Sequence, residues 1–335
     1  MEEHVTRFKI IGNNGFTTED YPEPEVWAGV LRRAGLMEFE YSADHLEPVL
    51  FRRVIRRRSE FFEATRRAIA DHGLKVWSGA TARISYLLNM LNHPYADMRA
   101  EALAWCKAFV DLTLALGGRY ISGHYDVIGK RDLAERFDAA IQRIVDGLVA
   151  LSRYAARKGL DAIFLEQMHR PQFQPNTIER GHRLLEAINR RSAVPVYMHL
   201  DLGHAAPVFI DDPAHGPRDK DPYAWLAERW GENRIVLIHA QQSDRQASRH
   251  WPFTPEYNAR GIIDARRSIE ALASSGVEEA VIALEILFAR GTPIETVEPA
   301  IVESAAYWRQ ALESLGYVRS PDGYYKKAAR PGARS

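Results

Sequence analysis

Short apolar runs alternate with longer segments of helical periodicity along the whole chain. Each run is bounded by turn residues and is followed by an amphipathic stretch, which is the pattern of a βα unit laid on a parallel sheet. The predicted strands are Phe8–Gly12, Met37–Tyr41, Leu74–Gly79, Arg119–Gly123, Asp161–Glu166, Val194–Asp201, Arg234–Ala240 and Ala280–Glu285. Eight such units predict an α/β protein built as a single (β/α)8 TIM barrel.

The segments between the predicted strands place apolar residues three and four positions apart, so that each helix has one apolar face. We expect these faces to pack on the barrel. They are Met98, Ala102, Trp105, Phe109, Leu112 and Leu116; Leu133, Phe137, Ile141, Ile144, Leu148 and Leu151; and Val297, Ile301, Ala305, Trp308 and Leu312. The regularity predicts one domain over residues 1–325, and the sequence KKAARPGARS over 326–335 predicts a flexible basic tail.

The amino-acid composition limits the partners expected for the protein and is compatible with the predicted fold. Hydrophobic residues make up 46% of the 335 positions, which supplies a large core, and 44 basic residues balance 44 acidic ones. A neutral chain favours neither nucleic acid nor an anionic membrane as partner.

The single cysteine, Cys106, lies on an apolar helical stripe and is predicted to be buried and inert. The amino terminus lacks signal-peptide features, and no apolar run reaches the roughly 20 residues of a membrane span, so we expect a cytoplasmic protein.

Four consecutive predicted strands end in side chains that can bind a metal. The strand carboxyl ends of such a barrel build its active site. A carboxylate placed after an apolar strand is costly to bury unless a cation compensates it. We therefore expect one divalent metal ion, with Mn²⁺ favoured by an oxygen-rich ligand set and Mg²⁺, Co²⁺ or Zn²⁺ as alternatives. The expected ligands are Glu166, Asp201, His239 and Glu285, and the alternative is that they pair with barrel Arg and Lys residues.

Further polar residues follow the same strands. His204 lies three residues after Asp201 and is expected to contact a substrate oxygen or the outer shell of the metal. His124, after the fourth strand, either polarises a substrate carbonyl or hydroxyl or satisfies loop carbonyl groups.

The loop after strand seven concentrates basic residues within six positions of sequence. Guanidinium groups bind phosphate in a bidentate manner, so this loop predicts an anion clamp; an ordinary solvated loop is the alternative. The clamp residues are Arg245, Ser248, Arg249 and His250, with Arg83 and Arg170 as weaker candidates for substrate contact.

Together, Glu at the end of strand five, Asp-x-x-His in strand six, His in strand seven and Glu in strand eight resemble the xylose-isomerase-like barrel superfamily. That superfamily holds ketose 3-epimerases, isomerases and endonuclease IV. Strings in the carboxyl-terminal half are similar to erythrulose-phosphate epimerases: DPYAWL from Asp221, HWPFTPEYNARG from His250 and ESAAYWR from Glu303. A looser likeness covers HPYADMR from His93 and the GHYD that includes His124.

The resemblance implies a divalent-metal-dependent epimerase of a small phosphorylated ketose, such as erythrulose 1-phosphate. Glu166 and Glu285 would act as acid and base besides binding the metal, and His204 and Arg245 would contact the substrate. Removing the proton beside a ketone, holding an enediolate and reprotonating its other face is compatible with two carboxylates and a metal.

Four alternatives remain at this point. An aldose–ketose isomerase passes through the same enediolate, and a carbon-glycoside lyase subunit abstracts a similar proton with the help of a partner chain. A metal-dependent abasic-site endonuclease needs a basic groove, which the zero net charge disfavours. A non-catalytic sugar-binding barrel is the fourth. The sequence also leaves open whether the chain forms a homo-oligomer.

Overall fold

The computed structural model describes residues 5–18, 20–47, 59–81, 83–207, 212–232 and 234–328. Eight parallel strands pair in chain order, and the first pairs with both the second and the eighth, so the sheet closes. The predicted (β/α)8 barrel is confirmed, with every predicted strand boundary within two residues of the observed one. The strands are β1 (Arg7–Asn13), β2 (Glu38–Ser42), β3 (Lys75–Ala80), β4 (Tyr120–Gly123), β5 (Ala162–Glu166), β6 (Val196–Asp201), β7 (Ile235–Ala240) and β8 (Glu279–Leu284).

Helices surround the barrel. Their apolar faces and the outward residues of the strands form one continuous core. The helices are Pro24–Arg33, Glu60–Asp71, Ile84–Leu87, Ala96–Ala115, Lys130–Glu135, Phe137–Lys158, Ile178–Asn189, Pro222–Leu226, Pro255–Asn258, Ala265–Ser275 and Ile294–Ser314. Cys106 is buried in this core as predicted, and burial raises the pKa of its thiol to about 12. Among the described residues no helix is long and apolar enough to cross a membrane.

Two helical predictions are corrected. The apolar face from Leu133 to Leu151 belongs to two helices, because the backbone leaves the helical region at Arg136, whose φ is −146°. The buried carboxylate of Asp132 pairs with both Arg136 and Arg143, which fixes the chain at this break. Met98 lies in the first turn of its helix and is 47% exposed, so the predicted apolar face packs on the barrel only from Ala102 onward.

The predicted flexible tail begins too early. Lys326 and Lys327 lie in a short strand, β10 (Tyr325–Lys327), which pairs antiparallel with β9 (Tyr317–Arg319) and, through Tyr325, with Phe8 of β1. The buried Tyr325 ring holds this hairpin against the barrel. The remaining tail residues, from 329, lie outside the described residues.

An apolar layer fills the barrel interior between its two ends. Because side chains alternate along a strand, Phe164 and Glu166 share the inner face of β5, while Leu200 of β6 points outward into the main core. The inner layer consists of Ile11, Trp77, Phe164, Leu237, Val281 and Ala283. It separates the amino end of the barrel from the polar carboxyl end.

The amino end is closed by ordinary ion pairs. Lys9 pairs with Glu38 at 2.6 Å and Arg7 with Glu279 at 2.7 Å. Both cations also lie over the ring of Tyr324, whose hydroxyl donates to Glu279. These contacts join the start of the barrel strands to the carboxyl-terminal hairpin.

Candidate metal and substrate site

The four expected ligands lie at the carboxyl end of the barrel. Glu166 and Asp201 are the last residues of β5 and β6, His239 pairs in register with Asp201 on β7, and Glu285 directly follows β8. Glu166, Asp201 and His239 are 1–3% exposed, whereas the side chain of Glu285 is 21% exposed. The closed sheet thus brings together residues that are 119 positions apart in sequence.

These carboxylates do not pair with Arg or Lys among the residues that the structure describes. Their ionic partners are imidazoles. Glu285 Oε2 lies 3.0 Å from His239 Nδ1 and 3.3 Å from His250 Nδ1, and His204 Nδ1 lies 3.5 Å from Glu166 Oε1. The alternative of fixed salt bridges is therefore not what the barrel contains. The positive charge that compensates these carboxylates is therefore carried by imidazoles, which lose it when they release a proton.

The Glu285 side of the site holds that positive charge. Burial disfavours charge on His239, but the carboxylates of Glu285 and Glu40 raise its pKa well above the usual value. The same carboxylate of Glu285 raises the pKa of His250 to about 9 against the effect of burial. Burial would raise the pKa of Glu285, yet the two imidazoliums lower it well below its usual value. Glu285 is thus an ionised carboxylate at neutral pH.

The Glu166 side is electrostatically opposite. Burial raises the pKa of Glu166 to about 7, and the charges of Glu285 and Asp201 add to this against the attraction of His204 and His239. The hydroxyl of Tyr86 donates to Glu166 Oε2 at 3.0 Å. Glu166 is consequently a carboxyl group that exchanges its proton near neutral pH.

One ring nitrogen of His204 is a donor. Its Nδ1 lies 2.9 Å from the carbonyl oxygen of Gln167, and a carbonyl only accepts, so Nδ1 carries a proton. Nε2 lies 3.8 Å from Asp201 Oδ2. The side chain is 5% exposed and lines the cavity, which is where a substrate-contacting residue would have to be.

Gln241, the residue after β7, was not predicted to have a role, yet it joins the site to the following loop. Its amide donates to both oxygens of Asp201 at 2.8 and 3.0 Å, and its carbonyl accepts from the backbone of His250 at 2.6 Å. A Cβ on Gly203 would lie 2.4 Å from the Gln241 side chain, so this contact requires glycine in the loop after β6. His250, with a φ of 52°, is held by it toward Glu285.

Glu40 of β2 is a second residue that the sequence reasoning missed. It is fully buried and accepts hydrogen bonds from Ser78 at 2.7 Å and Ser122 at 2.6 Å. Its other oxygen lies 2.5 Å from His239 Nε2, which must donate to it. This contact leaves Nδ1 of His239 facing Glu285, the arrangement typical of a metal-binding histidine that is oriented by a carboxylate. The sequence signal for Glu40 is a glutamate at an inward-facing position of the strand EFEYS.

The structure does not bring His124 to the cavity. It is completely buried beneath the rings of Tyr86 and Phe173, with centroid distances of 5.4 and 5.1 Å, and burial lowers its pKa to about 3. Its Nδ1 lies 4.0 Å from a carboxylate oxygen of Asp126 in the loop after β4, and the ring is not among the residues that line the site cavity. The glycine before it, Gly123, lines the cavity instead.

The residues of the predicted anion clamp do not all face the same cavity. Arg249 pairs with Asp244 at 3.1 Å and lies over Trp251, so it is engaged within the loop. Arg245 is exposed and faces a neighbouring cavity, whereas Ser248 and His250 line the site cavity itself. Arg83 also lines the site cavity and pairs with Asp44. Arg170, the other weak candidate, is not among the lining residues.

Two cavities flank the loop after β7. The site cavity has a volume of about 280 Å³, and Glu166, His204, His239, His250 and Glu285 are among its lining residues. The neighbouring cavity, of about 560 Å³, is lined by three basic side chains together with the acidic Asp221. The basic residues are Lys220, Arg245 and Arg267.

The donor set fits a divalent cation. Three overlapping groups each offer ligand atoms within 4.8 Å of one another, and each predicted ligand belongs to at least one of them. Carboxylates whose ionic partners are imidazoles are groups from which a metal can displace protons. The groups are Glu166, His199 and His239; Glu166, Asp201 and His204; and Asp201, His250 and Glu285.

Comparison with known proteins identifies the family. The sequence model of the xylose isomerase-like TIM barrel family matches residues 30–315. A relative from Brucella abortus (strain 2308), D-erythrulose 1-phosphate 3-epimerase, is 29% identical over 289 residues, which are 85% of this chain and 90% of that protein.

Solved structures show the same architecture. A candidate xylose isomerase from Rhodospirillum rubrum superposes with a TM-score of 0.77 at 23% identity, covering 90% of this chain and 99% of that one. D-psicose 3-epimerase from Clostridium cellulolyticum, solved with D-tagatose, gives 0.61 at 15% identity, with coverages of 90% and 99%.

The chain belongs to the xylose isomerase-like TIM barrel family. The predicted family membership is thus confirmed. So is the prediction of an enzyme of the isomerase class.

Proposed function

We propose that the protein is a divalent-metal-dependent sugar epimerase acting on a small phosphorylated ketose. The observation that carries this proposal is the contrast between two glutamates lining one cavity. Glu285 is held ionised by two imidazoliums, whereas burial keeps the pKa of Glu166 near 7. Carboxyl groups whose environments separate their pKa values are suited to act as base and acid in one reaction.

The chemistry follows from these two groups. The ionised Glu285 accepts the proton from the carbon beside the ketone, and Glu166, in its protonated form, returns a proton to the other face of the enediolate. In the reverse direction the roles exchange. Tyr86 positions Glu166 through its 3.0 Å hydrogen bond. When bound, the metal polarises the carbonyl and stabilises the developing negative charge.

Glu166, Asp201, His239 and Glu285 would hold that metal, and the remaining polar residues would orient the sugar. His204 makes its hydrogen bond to Gln167 through Nδ1, which leaves Nε2 for a substrate oxygen, and His250 lies beside Glu285. Arg245 extends from the loop between the two cavities, where a guanidinium would bind a phosphate group.

The named relative supports a four-carbon substrate. A cavity of about 280 Å³ suits a small sugar, and the three basic side chains of the second cavity are groups that could bind an anionic end. The Brucella relative is named for erythrulose 1-phosphate, in which carbon 3 lies beside the carbonyl carbon. We take this compound as the first substrate to test.

The test is proton exchange in deuterated water. The purified protein is incubated with Mn²⁺ and erythrulose 1-phosphate and followed by NMR. Epimerisation predicts deuterium at carbon 3 and formation of the other epimer, with the ketone kept. A carbonyl moved from carbon 2 to carbon 3 would indicate an isomerase rather than an epimerase, and absence of exchange would contradict the proposed substrate.

Two comparisons sharpen the assay. Erythrulose without phosphate should exchange much more slowly if the basic cavity binds the anionic end. Removing the metal with a chelator should stop exchange, and adding Mn²⁺ back should restore it. Full exchange in the presence of the chelator would contradict metal dependence.

A further inference from the structure

His199 is a histidine of the barrel interior to which the mechanism gives no role. It lies on β6 two residues before Asp201, so both side chains point to the inner face of the strand. It is completely buried, and neither of its ring nitrogens has a hydrogen-bond partner among the described residues. A neutral imidazole always carries one N–H and one lone pair, and burying both unpaired is unfavourable.

The other histidines next to the metal-binding carboxylates differ in this respect. His204 donates to the carbonyl of Gln167, His239 donates to Glu40, and His250 lies against Glu285. Each of these contacts fixes a tautomer or a charge. His199 therefore stands out as the one of these four rings whose nitrogens both remain available.

Its surroundings contain two expected metal ligands. His199 pairs in register with Glu166 across β5 and β6, and its ring meets that of His239 at 80° with a centroid distance of 3.9 Å. One ligand atom from each of these three side chains lies within 4.8 Å of the other two. This spacing is compatible with one cation bound by all three side chains. No hydrogen bond of His199 accounts for it among the described residues.

We propose that His199 is a further ligand of the divalent ion, bound from the interior side of the barrel. The proposal rests on the metal dependence proposed above. A second imidazole beside His239 makes the donor set richer in nitrogen, which favours Co²⁺, Mn²⁺ or Zn²⁺ over Mg²⁺.

The direct test needs no variant. Pulsed electron paramagnetic resonance on the Mn²⁺-loaded protein counts the coordinated imidazole nitrogens. Two couplings are expected if His199 binds together with His239, and a single coupling in the native protein would overturn the proposal while leaving the metal site intact. Failure of the protein to bind Mn²⁺ at all would overturn the metal dependence as well.

A variant gives the second measurement. His199→Phe fills the same space without a donor, and we expect it to lose one nitrogen coupling and to bind Co²⁺ at least tenfold more weakly. The matched control is His182→Phe, because His182 stacks on Trp230 outside the barrel and contacts Glu228. If both variants bind Co²⁺ within twofold of the native protein, His199 is not a ligand.

Discussion

The two ends of the barrel hold carboxylates in different ways. At the amino end, Glu38 and Glu279 pair with Lys9 and Arg7, whose charges are permanent at neutral pH. At the carboxyl end, the ionic partners of Glu285 among the described residues are the imidazoles of His239 and His250. The same strand, β8, begins with the first kind of glutamate and is followed by the second.

This difference separates stability from function. A lysine or arginine partner keeps its charge at neutral pH, so the carboxylate stays paired and holds no proton that a metal could displace. An imidazolium can lose its proton, after which the carboxylate and the ring nitrogen are both free to bind a metal. Predictions can therefore be made in pairs, one residue from each end of the barrel.

The largest effect should come from Glu285→Gln, which removes the proposed base and one metal ligand. We expect proton exchange at carbon 3 to fall by about 10²–10⁴-fold. The matched control is Glu279→Gln on the same strand, which should lose stability but keep its exchange rate. Full exchange by the Glu285 variant, or an equal loss in both variants, would remove the distinction between the two ends.

The next effect concerns Glu40, whose contact with His239 orients the ring. Replacing Glu40 by Gln removes the charge that accepts the Nε2 proton, and loss of such a partner weakens metal binding by about 10–100-fold. Its control is Glu38→Gln, two residues earlier on β2, which contacts Lys9 rather than the site. Titration with Mn²⁺ should show weak binding in the first variant and native binding in the second.

The metal-free protein should lose stability as the pH rises from 6.5 to 9. The pKa of His250 is raised from 6.5 to about 9, so its proton stabilises the folded state fully below pH 6.5, and this contribution disappears as the pH passes 9. The slope for one such group is at most about 1.4 kcal/mol per pH unit. Thermal unfolding with a chelator should show it, and the slope should be smaller in the Glu285→Gln variant, in which Glu40 still raises the pKa of His239.

The same protons compete with the metal. Because the pKa of Glu166 is about 7, the apparent affinity for Mn²⁺ should increase as the pH rises from 6 through 7. Titrations with Mn²⁺ at pH 6, 7 and 8 measure this. An affinity that does not change over this range would contradict the displacement of protons by the metal.

The smallest expected effect on activity comes from Lys9→Met at the amino end. This change leaves Glu38 unpaired and removes a cation from the ring of Tyr324. We expect a loss of about 1–3 kcal/mol in the free energy of unfolding, measured by urea denaturation, with the exchange rate unchanged. A loss of activity without a loss of stability would mean that the two ends are coupled.

Much of the fold and part of the candidate site could be predicted from local sequence. An apolar run that ends in a carboxylate is visible in DAIFLE and AVIALE, and the barrel topology then places both ends at the same rim. The helix break at Arg136 could not be predicted from local sequence, because the apolar spacing from Leu133 to Leu151 continues across it. The ion pairs of the buried Asp132 with Arg136 and Arg143 are seen only in the folded chain.

Local sequence predicts the eight strands and the positions of Glu166, Asp201, His239 and Glu285, because alternation and apolar runs are properties of neighbouring residues. The partners of those side chains depend instead on how distant parts of the chain come together. Glu40 meets His239 across 199 residues, and Tyr86 meets Glu166 across 80. The pKa values of the two glutamates depend likewise on the fold, because burial raises that of Glu166 and the imidazoles of His239 and His250 lower that of Glu285.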